Sequence, residues 1–295
     1  MPRMGTVNGL TTLMLCGYAT SGGSVREGCT VPRIAVLQAT GAVDDIDQNL
    51  RRLEEHASRA ARAGADLMVT PELFATGYAP ARVAGSDGPG IRAELAGIAR
   101  RNRMAIVAST VDDAGSTCHI SASLFDPQGA ERTRYRKSHL FGGEEKSAFS
   151  PGDNPPDLVS IAGLTVALGI CYDIEFPEFA RSAARRGVDL LCIPTAVPST
   201  GDVGGRAPEH TYNAERISTL LVPARALENG LYIAYANHTA PDFTGLSSIA
   251  SPYGTFLGMA GHEEELIVAE VEQAEVARAR RINTYLDCVR SSLYT

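Results

Sequence analysis

From Pro32 onward the chain alternates short apolar runs, each bounded by turn-forming residues, with longer stretches whose apolar positions recur every three or four residues. The runs suit strands buried in a sheet and the stretches suit helices docked on one, so the reachable fold class is α/β. Residues 34–39 (IAVLQA) read as a strand. Asp44 then caps a helix whose Ile46, Leu50, Leu53, Ala57 and Ala60 share one face and which Gly64 ends. A strand at 66–70 precedes a helix from about Gly90 to Arg103, whose Arg100, Arg101 and Arg103 suit the negative end of its dipole. Strands follow at 104–110, 118–126 and 131–137, the last two joined by the turn Pro127-Gln128-Gly129.

After a loop over 138–156 the same grammar restarts. Strands at 158–161 and 164–170, a helix over 177–186, a strand at 188–193, a polar loop to about His210 and a helix to Glu228 are read in turn. Strands near 231–236, 247–251, 255–259 and 266–271 complete a second β-rich half, each half carrying two helices. Once helices cover one face of each sheet, the remaining apolar faces are buried against each other, which gives a four-layer α-β-β-α sandwich. A length of 295 residues with 44% hydrophobic content supplies one large core, so a single domain is placed at 31–282. Residues 1–30, rich in Gly, Ser and Thr, are expected to form a flexible N-terminal extension, and 283–295 a C-terminal tail available to pack on a partner subunit.

Composition narrows the partners. Lys plus Arg number 27 against 34 Asp plus Glu, a formal charge of -7, so the overall field repels phosphate backbones and anionic lipid; nucleic acid and membrane surfaces are not expected. No apolar run reaches the roughly 18–20 residues that span a bilayer. Arg3 followed by residues 10–16 faintly resembles a secretion signal, but Gly9, Thr11 and Thr12 interrupt it and no clean cleavage site follows. Cys16, Cys29, Cys118, Cys171, Cys192 and Cys288 form no C-x-x-C pair, which argues against a disulfide framework and against structural zinc, and for reduced thiols in a cytoplasmic protein.

Three local sequences carry candidate chemistry. In LTVALGICYDIEFPE an apolar strand runs into Cys171 and a helix begins at Pro177, which puts a thiol at a strand-to-helix turn where backbone N–H groups can stabilise a thiolate and an oxyanion. In TPELFATGY, Glu72 sits just beyond a strand, and in RYRKSHLF, Lys137 ends one. Taken singly, each has a plain reading: a buried small hydrophobe, a helix-start carboxylate and a solvated lysine. Together they give an acid, an amine and a thiol, each at the end of a separate strand.

With PELFATGY, YRKSHLF, FSPGD, GICYDIEFPE, RALENGLYIAYAN and GLSSIASPYG in order, the chain resembles the nitrilase, or carbon-nitrogen hydrolase, superfamily from about Val31 to at least Val271. That resemblance implies the four-layer sandwich, Glu72 as general base, Lys137 as electrostatic stabiliser and Cys171 as nucleophile. A further family glutamate maps to Glu145, with Glu144 as the alternative one residue away. Cys171-Tyr172-Asp173, rather than a Cys-Trp-Glu run, looks like the amidase branches, and CYDIEFPE is similar to amidases of small aliphatic or amino-acid-like amides. The implied reaction is hydrolysis of a small non-peptide carboxamide through a Cys171 thioester, without metal or organic cofactor. Tyr78, Tyr172, Glu175 and Glu144 are candidate substrate contacts, and Glu175 with Asp202 and Glu209 can meet a cationic substrate group. Related enzymes form homodimers or larger homo-oligomers, which is the expectation here.

Other readings of these residues stay open. The same set can serve a nitrile or N-carbamoyl amine hydrolase, or a thioester-based acyltransferase, and a non-catalytic binding protein is the alternative from outside enzymology. A papain-like pair of Cys171 with His139 lacks an evident third group to orient the histidine. A zinc site at Cys118-His119 is disfavoured because neighbours on a strand face opposite ways. Cys192 in LLCIP reads as core.

Overall fold

The computed structural model describes residues 31–113, 115, 117–199 and 213–293. The proposed extension 1–30, Asp202, Glu209 and the beginning of the helix expected after His210 lie outside these residues. Two six-stranded sheets form the centre, flanked by helices as the alternating pattern required. The first takes β1 (Arg33–Gln38), β2 (Leu67–Val69), β3 (Ala105–Asp113), β4 (Cys118–Phe125) and β5 (Glu131–Arg136). The second takes β6 (Val159–Ile161), β7 (Leu164–Leu168), β8 (Leu190–Pro194), β9 (Tyr232–Ala236), β10 (Ser248–Ala250) and β11 (Phe256–Met259).

Period-two alternation explains the layers. In β1 to β3, Ala35, Leu37, Met68, Ile106 and Ala108 face outward and pack with Leu53 and Ala57 of α1 (Ile46–Arg62) and Leu95 and Ile98 of α3 (Gly88–Asn102). The alternate residues Ile34, Val36, Leu67, Val69 and Val107 face the second sheet and join Val166, Leu168 and Leu190 in the inter-sheet core. Leu53 is fully buried, and truncating such a side chain to alanine costs about 2–5 kcal/mol. On the second sheet, α5 (Pro177–Arg185) and α6 (Val222–Asn229) pack together, with α6 against β9 and β10.

Several expectations need correction. The cap of α1 is Asp45, whose side chain accepts from Gln48 N, while Asp44 sits at positive φ and pairs with Arg82. The loop expected over 138–156 contains α4 (Gly142–Ala148), which begins with two glycines and has one buried residue, Glu145, so it shows no apolar period. Two further helices, α2 (Pro80–Val83) and α7 (Gln273–Ile282), were not read from the pattern, and within 283–293 the chain forms α8 (Tyr285–Cys288) and a short 3-10 turn at Ser291–Leu293.

The largest departure is topological. The last strand, β12 (Glu265–Glu270), leaves the second half and pairs antiparallel with β1, from Arg33↔Glu270 to Gln38↔Glu265. The sheet orders are therefore β12-β1-β2-β3-β4-β5 and β11-β10-β9-β8-β7-β6. Each has three parallel strands (β1-β2-β3 and β7-β8-β9) with an antiparallel strand on one flank and two on the other. The single flanking strand of the second sheet is β6, the local hairpin partner of β7; the first sheet takes its counterpart from the far end of the chain.

Candidate active site

The three side chains singled out by sequence lie at the carboxyl ends of strands, where each chain segment leaves its sheet. β2 ends at Val69, and Thr70-Pro71 carries the chain to Glu72, because proline has no N–H to continue a ladder. Glu72 is then held from both sides of its backbone: its N–H donates to Thr195 O at 3.2 Å, and its carbonyl accepts from His238 Nε2 at 2.7 Å. Lys137 continues the inward row of β5 begun by Tyr135, its N–H donating to Ile120 O and its carbonyl accepting from Gly152 N, both at 2.8 Å.

The thiol segment is more constrained. At Gly169 a Cβ would lie 2.7 Å from the Phe179 ring and 2.8 Å from Ile193 Cδ1, so the approach to the turn requires glycine. Cys171 itself has φ +46, in the left-handed region, which costs a non-glycine residue about 1–2 kcal/mol. It opens a 3-10 turn, Cys171–Glu175, ahead of α5, so helical structure begins at the cysteine and not first at Pro177.

These segments converge. Lys137 Nζ donates to Glu72 Oε1 at 2.8 Å and to Glu145 Oε1 at 2.7 Å. Glu145 Oε1 also accepts from the Tyr78 hydroxyl at 2.6 Å, and its Oε2 accepts from Phe141 N at 2.8 Å. Cys171 Sγ lies 3.8 Å from Ala196 O and close enough for Glu72, Lys137 and Glu145 to act on its ionisation. Glu72 and Lys137 are 0% exposed, Glu145 1% and Cys171 6%. Two of the three ammonium hydrogens of Lys137 are used by the carboxylates, and the third has no acceptor among the described residues.

Burial sets the protonation pattern. It pushes Glu72 up to about 8, against the pull of Lys137 and with added repulsion from Glu145. It pushes the Cys171 thiol well above its usual range, reinforced by Glu72 and only partly relieved by Lys137. For Lys137 burial favours the neutral amine, but Glu72, the Cys171 sulfur and Glu145 outweigh it, so the ammonium persists above its ordinary range. The arrangement pairs a protonated thiol with a carboxylate that titrates near neutral pH, beside a fixed positive charge. A group of this kind can move a proton off sulfur and hold negative charge developing next to it.

Of the other candidates, the structure brings Tyr78 to the cluster and leaves Glu144 out. Glu144 is exposed and makes none of these contacts, because consecutive positions on α4 point about 100° apart and only Glu145 faces Lys137. Tyr172 is half-buried, edge-on to Phe141 at 5.4 Å and Phe176 at 5.0 Å. Glu175 is half-buried on the same turn as Cys171, its carbonyl accepts from Arg225 Nη2 at 2.9 Å, and its carboxylate bears on the buried Tyr235 phenol. Phe243, edge-on to Tyr78 at 5.9 Å, also lines a cavity of about 480 Å³ together with Ser199, Asn213, Glu215 and Thr244.

His139 does have an orienting group, contrary to the sequence reading: Asp173 Oδ1 lies 2.7 Å from its Nδ1. The ring stacks on Phe176 at 3.9 Å, and no hydrogen bond to Cys171 is among its contacts. Cys118 Sγ contacts Ala84 O while His119 bonds Ser150 O and Thr117, so these neighbours turn to separate partners. Among the described residues no three His, Cys, Asp or Glu side chains gather as metal ligands, and no helix is long and apolar enough to cross a membrane. His238 and Asp173 were not singled out from sequence. His238 offered no signal beyond a histidine after an apolar strand, whereas Asp173 lay two residues past the candidate nucleophile.

Comparison with known proteins bears on the same site. The family described as carbon-nitrogen hydrolase matches residues 33–281. A hydrolase from the pqqF 5' region of Pseudomonas protegens is 34% identical over 94% of this chain and 95% of its own length. The 2-oxoglutaramate amidase of Bacillus subtilis is 29% identical over 88% of this chain and 98% of its own. A mutant amidase from Nesterenkonia sp. AN1, solved with the acetamide moiety of fluoroacetamide covalently added at its active-site cysteine, superposes with a TM-score of 0.79 at 36% identity, covering 92% of this chain and 98% of that one.

Proposed function

We propose, for a chain that belongs to the carbon-nitrogen hydrolase family and hydrolyses amides, that Cys171 is the nucleophile, Glu72 the general base and Lys137 the oxyanion stabiliser. The observation that carries this reading is the fully buried contact of Lys137 with both Glu72 and Glu145 beside the Cys171 thiol. Glu72 takes the thiol proton as sulfur attacks the amide carbonyl carbon. The oxyanion is met by the free hydrogen of Lys137 and by backbone N–H groups near Tyr172. The C–N bond breaks as nitrogen takes the proton from Glu72 and leaves as ammonia. Water then gives a proton to Glu72 and its oxygen attacks the thioester; the C–S bond breaks, the thiol regains its proton and a carboxylic acid departs.

Glu145 is given a positional role, because the Tyr78 hydroxyl and Phe141 N hold its carboxylate in place against Lys137. The substrate class proposed is a small carboxamide, supported by the buried, closely packed cluster and by the acetamide adduct of the Nesterenkonia amidase. Ammonia release from small aliphatic amides, matched nitriles, N-carbamoyl amines and cationic amides tests the reading beside Cys171→Ala. Amides are expected to be turned over by the native chain and not by the variant; turnover surviving in Cys171→Ala, or confined to nitriles, overturns it.

A further inference from the structure

Asp173 has no role in the chemistry above, yet it is 0% exposed and satisfied from two directions. Its Oδ2 accepts from Ile170 N at 3.0 Å, while its own N–H donates to Ile170 O at 3.0 Å. These reciprocal bonds close a ring around Cys171, the residue held at φ +46. Left-handed backbone at a side-chain-bearing residue persists only where the surroundings over-determine it. The ring is that constraint.

The remaining bonds run to the segment that carries Lys137. Oδ2 also accepts from the Tyr135 hydroxyl at 2.9 Å, and Oδ1 accepts from His139 N at 3.0 Å and meets His139 Nδ1 at 2.7 Å. Tyr135 and His139 flank Lys137 by two residues on either side. Since Oδ1 of a carboxylate accepts and does not donate, His139 carries a proton on Nδ1. One carboxylate thus ties the nucleophile's turn to the strand end bearing the ammonium.

We propose that Asp173 is a positioning residue: it holds the left-handed backbone of Cys171 and fixes the distance from the Cys171 sulfur to Lys137. It rests on Cys171 being the nucleophile. Loss of the clamp lets the turn relax and moves the sulfur relative to Glu72 and Lys137, which alters how readily the thiol ionises as well as how fast it reacts.

The test uses the full chain and Asp173→Asn, which keeps size but replaces one acceptor oxygen with donor hydrogens facing an existing donor. Two readouts are taken: kcat and KM on a small amide, and the rate of iodoacetamide alkylation at Cys171 against pH, followed by mass of its peptide. The expected result is a fall in kcat of about 10- to 100-fold with KM within about threefold, together with a displaced alkylation profile. Tyr135→Phe and His139→Ala, each removing one side-chain contact to Asp173, are expected to give smaller changes in the same direction. Unchanged kcat and an unchanged profile overturn the proposal, as does a kcat loss explained wholly by less folded protein with the profile intact. If Asp173→Asn fails to fold, the Tyr135→Phe/His139→Ala double variant decides by the same two readouts. Turnover in Cys171→Ala would instead sink the nucleophile assignment, and the alkylation profile separates the two failures because it needs no turnover.

Discussion

Strand β5 and Lys137, the residue that follows it, carry two ion clusters on opposite faces, built to opposite plans. On the inward side Lys137 is a cation between two acids, Glu72 and Glu145, with no side chain more than 1% exposed. On the outward side Asp112 of β3 is an acid among three cations, bonded by Arg134 at 2.9 Å and Arg136 at 2.8 Å and approached by Arg92 at 3.6 Å. The Arg134 and Arg136 side chains are 32% and 42% exposed. Burial raises Asp112 as it does Glu72, but for Asp112 the hydrogen bond from Arg136 and the charges of three arginines prevail and hold it below its usual range. One cluster keeps its carboxylate near the point of changing protonation, and the other locks its carboxylate ionised. The difference is water: guanidinium groups that reach solvent can balance a buried acid without themselves being stranded, whereas a sealed site must leave some group poorly compensated.

Breaking each cluster should separate these roles. Lys137→Ala strands two carboxylates in the interior, and turnover should fall by at least about a thousandfold, with a stability loss on the order of 3–5 kcal/mol; kcat and chemical denaturation read the two effects. Asp112→Asn should lower stability by only about 1–2 kcal/mol, since Arg134 and Arg136 reach solvent and the buried Arg92 keeps its bond to Val111 O, and leave kcat per folded molecule unchanged. Equal activity losses in the two variants would erase the contrast.

The protonation difference has its own signature. Burial places the Glu72 carboxyl at about 8, and the base form is the active one. Activity should therefore climb about tenfold per pH unit below that value and level off above it, where Glu72 is ionised. In Glu145→Gln the repulsion that helps raise Glu72 is gone, so the rise should move to lower pH; kcat/KM profiles of both proteins check the sign. The smallest effect is expected from Tyr78→Phe, which removes one hydroxyl donated to Glu145, worth about 0.5–1.5 kcal/mol or a two- to tenfold loss in kcat. A loss far above tenfold would mean that the phenol does more than brace the glutamate.

Much of the architecture was legible because strand and helix periods differ. The alternation in β1 to β3 and the three-four spacing of Leu53, Ala57 and Ala60 are physical consequences of which faces must leave water. The placement of Glu72, Lys137 and Cys171 at strand ends was readable for the same reason. What was hidden required knowledge of partners. Glu145 and Glu144 are alike in sequence, and only the angle at which α4 leaves Phe141 decides which one meets Lys137. Asp173 carries no distinguishing pattern in the sequence, because its place depends on Tyr135 and His139, which reach it from another strand end. Strand β12 was recognisable as a strand from its apolar residues, but apolarity does not say which sheet edge will take it.

That last strand has a consequence for how the chain comes into being. Because β1 waits for a partner more than two hundred residues downstream, a nascent chain leaving the ribosome carries an open hydrogen-bonding edge until Glu265–Glu270 has emerged. The amino-terminal sheet cannot mature as an independent unit, and a premature stop before Glu265 would leave that edge available for pairing with other molecules. Closure by β12 makes the amino-terminal sheet the later of the two to be finished, although its other strands are synthesised first.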